Sequence, residues 1–195
     1  VRSERDQHAQ VTDPSGEGPL PERVLESRRL YDGRIMTLRV DTVLMPSGRE
    51  ATREIVEHAP VVAVVPVDEN GDVVMVRQFR LATGDVMLEI PAGLVDEGEE
   101  IEAAAQRELQ EEIGYRAGHL ERLSGFFVSP GFCTEFIHVF LALGLEESDL
   151  DGDEDEDIVV QRVPLGEAVR LVEEGAIRDA KSIVGILMAR ERLKG

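Results

Sequence analysis

Residues 93–115 read GLVDEGEEIEAAAQRELQEEIGY, and a change of period inside this stretch decides the fold. Gly93 to Glu99 is rich in Gly, Asp and Glu and reads as a loop. From 100 to 113 Ala, Glu, Gln and Leu take over. Ile101, Ala104 or Ala105, Leu109 and Ile113 recur at helical spacing, and Gly114 supplies the stop. The predicted helix carries Glu108, Glu111 and Glu112 beside Arg107. Glu112 is i+4 and Glu111 i+3 from Glu108, so all three carboxylates project to one side. Like charges at this spacing oppose helix formation, and only Arg107 is interleaved. The carboxylates alone leave two readings: a solvated acidic face, or a set of hard oxygen ligands for Mg²⁺ or Mn²⁺.

Upstream of this helix the pattern is that of strands. From Arg23 strand signals dominate. Residues 35–41 alternate, and Pro46-Ser47-Gly48 turns the chain toward a strand at Ala51–His58. Pro60–Val67 is a nearly continuous β-branched apolar run, which predicts a strand buried on both faces. Asn70-Gly71 marks a hairpin whose second arm is Val73–Phe79, and Val86–Ile90 is a further short strand. Downstream, strands are expected at Leu120–Phe127, Phe136–Leu143 and Ile158–Val163. An acidic loop covers 146–157, and Leu165–Glu174 and Ala180–Leu193 close the chain as helices. The fold class is α+β, a mixed sheet with helices packed on it. Residues 1–22 are expected to be a flexible leader, 23–58 an N-terminal antiparallel β segment, and 59–195 the main domain.

Composition narrows the function. The 195 residues carry 40 Asp plus Glu against 21 Lys plus Arg, a formal charge of −19, which disfavours a long polyanion as partner. A small phosphorylated ligand stays compatible if divalent cations screen it. Neither a secretory run nor a membrane-length apolar stretch is seen. Cys133 is the lone cysteine, so no intrachain disulfide can form. A reduced, cytoplasmic setting is expected. Without an activating His–Asn pattern Cys133 reads as a bystander thiol. His58, His119 and His138 show no metal-ligand spacing.

Gly93, Glu99, Arg107-Glu108-Leu109, Glu111-Glu112 and Gly114 together resemble the full signature of the Nudix hydrolases, with every fixed polar and glycine position filled. Tyr115 replaces the usual aliphatic residue, a departure that concerns packing. The resemblance implies an α/β/α sandwich around a mixed sheet. It also implies that Glu108, Glu111 and Glu112, with the Ala92 carbonyl, hold divalent metals that bridge a diphosphate. Bound there, Mg²⁺ or Mn²⁺ would neutralise phosphate and lower the pKa of an attacking water. Arg107 and Glu99 would form an orienting ion pair. Gly93 would serve a tight loop and Gly114 the helix end.

Four surrounding features resemble the ADP-ribose and ADP-sugar pyrophosphatase branch: Ser129-Pro130-Gly131-Phe132, Arg77-Gln78-Phe79-Arg80, Glu89-Ile90-Pro91-Ala92-Gly93 and Thr52-Arg53-Glu54. They imply substrate contacts from Arg53, Glu54, Arg77, Arg80, Pro130, Gly131 and Glu135. Each has a plainer alternative. Pro130-Gly131 can be an ordinary turn, and Arg53 a cross-strand ion pair. Arg77 and Arg80, three apart on a strand, face opposite sides, so one of them can be a surface charge. The run 149–157 fails as an EF-hand loop, because its sixth position is Glu154 and not glycine. In the branch an acidic loop here supplies the general base, for which Glu154 and then Glu156 are the candidates; a plain acidic linker is the alternative. The expectation is hydrolysis of ADP-ribose to AMP and ribose 5-phosphate by a homodimer joined through 23–58. Other nucleoside diphosphate sugars or dinucleotides are the nearest alternative. A non-catalytic ADP-ribose sensor fits poorly, since the motif is intact and the charge acidic.

Overall fold

Val61–Pro66, the strand VVAVVP, is buried along its whole length, and its side-chain alternation organises the molecule. The computed structural model describes residues 20–148, 150 and 157–194. The strands are β1 Arg23–Asp32, β2 Met36–Leu44, β3 Glu50–His58, β4 Val61–Pro66, β5 Asp72–Arg80, β6 Asp85–Glu89 and β7 Ala92–Leu94. Helix α1 is Ile101–Ile113, followed by β8 Tyr115–Phe127, β9 Phe136–Glu147 and β10 Val159–Pro164. Helices α2, Leu165–Glu173, and α3, Ala180–Leu193, complete the chain.

Successive residues of a strand point to opposite faces. Val61, Ala63 and Val65 of β4 therefore join Val73 and Met75 of β5, Val139 and Leu141 of β9, and the α2 and α3 residues Ala168, Ile186 and Ala189 in one core. Val62 and Val64 turn the other way. With Val74, Val76 and Phe140 they pack on Ala104, Ala105, Leu109 and Ile113 of α1. Strands lie between helices on both sides, the expected α/β/α arrangement. Leu109 is fully buried, and its transfer from water stabilises the α1 contact by roughly 2–3 kcal/mol.

The strands form three sheets, ordered β7-β4-β9-β8, β10-β5-β6 and β1-β2-β3. Mixed pairing lies in the first, where β4 runs parallel to β9 and antiparallel to β7. The other two sheets are antiparallel. The N-terminal sheet is tied to the rest through β3. Val56 N–H donates to the Phe132 carbonyl at 2.8 Å, and Thr134 N–H donates to the Val56 carbonyl at 2.9 Å.

Several sequence expectations are corrected. Strand β8 begins at Tyr115, directly after the helix stop, and not at Leu120. Strand β9 runs on to Glu147, because Tyr115, Arg116 and Ala117 pair with Glu147, Glu146 and Leu145. Neither extension shows alternation strong enough to be read in isolation; each strand end is held by its partner. The hairpin expected at Asn70-Gly71 does not form a paired ladder: β4 pairs with β7 and β9 and β5 with β10 and β6, and among the described residues the two arms share only the bridge between Val67 and Val73. Gly71 is at φ +80° and no non-glycine residue among those described has positive φ. The Asp68 carboxylate closes the turn by accepting from Asn70 N–H at 2.9 Å and Asp72 N–H at 3.0 Å.

Candidate active site

Helix α1 presents its carboxylates to β7. Glu108 and Glu112 are both about 8% exposed, on the side of the helix that packs against the Ala92–Leu94 strand. The Glu112 carboxylate accepts from Ala92 N–H at 3.2 Å. Gly93 is required here by proximity. A Cβ on this residue would overlap the carboxyl group of Glu108, so the expected tight-loop role is replaced by close approach of a side chain to backbone. Gly114 behaves as expected, ending α1 in the left-handed region at φ 72°.

Arg107 is the hub of the motif. Its Nε and Nη2 bind the two oxygens of Glu99, each at 3.0 Å, and Nη2 also donates to the Leu94 carbonyl at 2.8 Å. Nη1 donates to Glu108 at 2.6 Å and Glu111 at 2.8 Å. The guanidinium thus joins the 93–99 loop to the helix and offsets the repulsion that the sequence predicts among the glutamates. The hydrogen bond to Glu99 is the leading reason that its pKa is raised; burial opposes this, and the Glu108 and Glu111 carboxylates add to it. The same pairing holds the Glu99 carboxyl below its ordinary value.

The donor set fits a hard divalent cation in chemical type: carboxylate oxygens grouped on one helical side against the Ala92 backbone. Arg107 holds Glu108 and Glu111, Ala92 N–H donates to Glu112, and among the described residues no three ligating side chains converge tightly enough to enclose an ion. To do so, Glu108 and Glu111 must turn from Nη1.

A cleft of about 890 Å³ opens over this helix face, lined by Ala92, Arg107, Glu108 and Glu111 on one side and by Arg80, Glu135 and Lys181 among others. Arg80 and Arg77 separate as the strand period requires. Arg80 reaches the cleft, whereas Arg77 is exposed elsewhere. Arg53 and Glu54 do not line the cleft. Arg53 binds Glu22, with Nε at 3.0 Å from its carboxylate, and Glu54 is exposed on β3. Pro130 and Gly131 are exposed in the turn before β9, outside the lining, where Ser129 O accepts from Phe132 N–H at 3.1 Å and Cys133 N–H at 2.8 Å. Glu154 and Glu156 lie outside the described residues.

One cluster at the cleft is absent from the sequence expectations. Glu89, 2% exposed, accepts from Arg80 Nε at 2.9 Å and Nη2 at 2.8 Å. It also accepts from Lys181 Nζ, which in turn binds Asp179 at 3.0 Å. Burial by itself would raise the Glu89 pKa; Arg80 and Lys181 outweigh it and hold the carboxyl at about 2. A signal existed in the sequence. The chain uses lysine only at 181 and 194 and otherwise fills its basic positions with arginine, which singles Lys181 out.

The chain belongs to the Nudix hydrolase family: residues 57–184 match the NUDIX domain. Residues 22–56 match the nucleoside diphosphate sugar hydrolase N-terminal domain, which narrows the resemblance to one branch. An ADP-ribose pyrophosphatase of Bacillus subtilis (strain 168) is 41% identical over 179 residues, 90% of this chain and 97% of the relative. A methanol dehydrogenase activator of Bacillus methanolicus is 37% identical over 89% of this chain and 96% of its own length. A crystal structure of an ADP compounds hydrolase superposes with a TM-score of 0.83 at 25% identity, covering 92% of this chain and 97% of that one.

Proposed function

We propose that the protein hydrolyses the diphosphate bond of ADP-ribose to AMP and ribose 5-phosphate in the presence of Mg²⁺ or Mn²⁺. The observation that carries this reading is one cleft lined both by Glu108 and Glu111 of the Nudix helix and by Arg80. Similarity to the B. subtilis pyrophosphatase along nearly the full length of both chains supports the substrate. A second reading, another nucleoside diphosphate sugar, is favoured by the broader match of the N-terminal segment.

In this reading Glu108, Glu111, Glu112 and the Ala92 carbonyl hold the metal, which when bound supplies charge neutralisation and acidifies water. Arg107 stores Glu108 and Glu111 in register for that task and fixes the loop through Glu99. Arg80 and Glu135 meet the substrate, the first through its phosphates. Water is activated by Glu154, with Glu156 the alternative. Arg53, Glu54, Arg77, Pro130 and Gly131 are outside the cleft of the single chain, so contacts from them require a second copy or a changed loop. We assign a homodimer formed through β1–β3. All of β1 is exposed, including Val24, Leu25, Leu30 and Tyr31 at 41–56%, an apolar edge that a single chain leaves open. Among the described residues no helix is long and apolar enough to cross a membrane.

The test is a metal-supplemented panel of nucleoside diphosphate compounds with products identified by mass spectrometry. ADP-ribose should give AMP and ribose 5-phosphate, and chelation should abolish turnover. Glu112→Gln should lower kcat by about a hundredfold or more while the protein stays folded. Near-native turnover in that variant removes the metal assignment. Glu154→Gln should lower kcat more than it raises KM; if only Glu156→Gln does so, the base is Glu156.

A further inference from the structure

We propose that Lys181 is a positioning residue for substrate: acting through Glu89, it holds the Arg80 guanidinium facing the diphosphate end of the cleft. This rests on the reading that the cleft takes a nucleoside diphosphate. Lys181 stands in the first turn of α3 and is only 7% exposed. Two of the three protons of its ammonium are directed to Glu89 and Asp179, so it is poorly placed to meet substrate itself.

Its anchor is rigid. Asp179 Oδ2 accepts from Ser182 N–H at 2.9 Å and from the Ser182 hydroxyl at 2.6 Å, and that hydroxyl accepts from Ile90 N–H at 2.9 Å. The start of α3 is thereby locked to the residue following Glu89. Glu89 in turn grips Arg80 at two points, Nε and Nη2, which sets the plane of the guanidinium and leaves Nη1 as the nitrogen that Glu89 does not bind. Loss of the Lys181 ammonium removes the fixed support of the Glu89–Arg80 fork. Glu108 and Glu111 of α1 are held separately, by hydrogen bonds from Arg107. Substrate binding should weaken while the chemical step is spared.

The experiment compares KM and kcat for ADP-ribose in the unchanged protein, Lys181→Met, Lys181→Gln, Arg80→Met and the double variant Lys181→Met/Arg80→Met. Lys181→Met should raise KM about tenfold with kcat within about twofold. In the Arg80→Met background the same change should add less than about twofold, because its effect passes through Arg80. An unchanged KM, a fall in kcat alone, or the full KM increase persisting without Arg80 overturns the inference. Lys181→Gln is read in the same way if Lys181→Met does not fold; failure of both to fold marks a structural role and overturns it too. Absence of ADP-ribose hydrolysis by the unchanged protein overturns the function itself. Hydrolysis with an indifferent Lys181 overturns this inference alone.

Discussion

Arg107 shows how one side chain can reconcile a sequence with its own charge pattern. Glu108, Glu111 and Glu112 repel one another on α1, yet the helix forms because the guanidinium draws Glu99, Glu108 and Glu111 to a single centre. This arrangement also keeps two acidic side chains at a cleft wall. Gly93 is the second residue on which the geometry turns. In Gly93→Ala the new methyl would occupy the place of the Glu108 carboxyl. The overpacking should cost about 1–3 kcal/mol in denaturant unfolding, and kcat should fall because Glu108 is displaced. A variant with normal stability and normal turnover would show that Glu108 has another place to go.

At the level of elements, α3 does more than cover the sheet. It brings Lys181 and Ser182 to the end of β6, and it can approach that closely because Gly185 faces Ile90 and Val65. A Cβ at Gly185 would stand 2.9 Å from the side chains of both. Gly185→Ala must push the helix outward or force its neighbours from their rotamers. Although alanine is the better helix former by about 1 kcal/mol, the expected net effect is destabilisation of about 1–2 kcal/mol, measured by chemical denaturation. A rise in stability would mean that helix propensity wins and the packing has slack. Helix α1, by contrast, is held through Leu109 and its alanines, and its position relative to β7 places Glu108 and Glu112 beside the Ala92–Gly93 backbone.

For the whole molecule, acid sensitivity and assembly are the observable consequences. The Glu89 carboxyl is held at about 2 against an ordinary value of 4.5. Its folded pKa is depressed, so its contribution to stability is complete above about pH 4.5 and is lost as pH falls toward 2. At neutral pH Glu89→Gln should be less stable than the unchanged protein by about 3 kcal/mol, since it removes one of the two carboxylate partners of the buried Lys181 ammonium and the charge partner of the partly exposed Arg80. Thermal unfolding from pH 7 to 2 should show that gap closing below about pH 4.5. A gap independent of pH would mean that Glu89 does not titrate in this window. Assembly is tested separately. Tyr31→Glu on the exposed β1 should shift sedimentation from dimer to monomer, whereas a protein that is monomeric without the change removes the dimer assignment.

The sequence alone determined most of the succession of elements and the spacing of the motif carboxylates, although β7 at Ala92–Leu94 falls where the residues read as loop. Helical period, an apolar β-branched run and the spacing from Gly93 to Gly114 are local properties, legible because each depends on residues close together along the chain. They sufficed for α1, for the burial of β4 on both faces and for the grouping of Glu108, Glu111 and Glu112. Tertiary structure decided what no local pattern carries. It selected Arg80 over Arg77 for the cleft, engaged Arg53 with Glu22, and extended β8 and β9 through their mutual pairing. It also joined Glu89 to Lys181 across 92 positions. The physical reason is common to all of these. A buried charge is stable only with its partner, and that partner is chosen by how strands and helices pack, so its identity does not exist until the chain has folded.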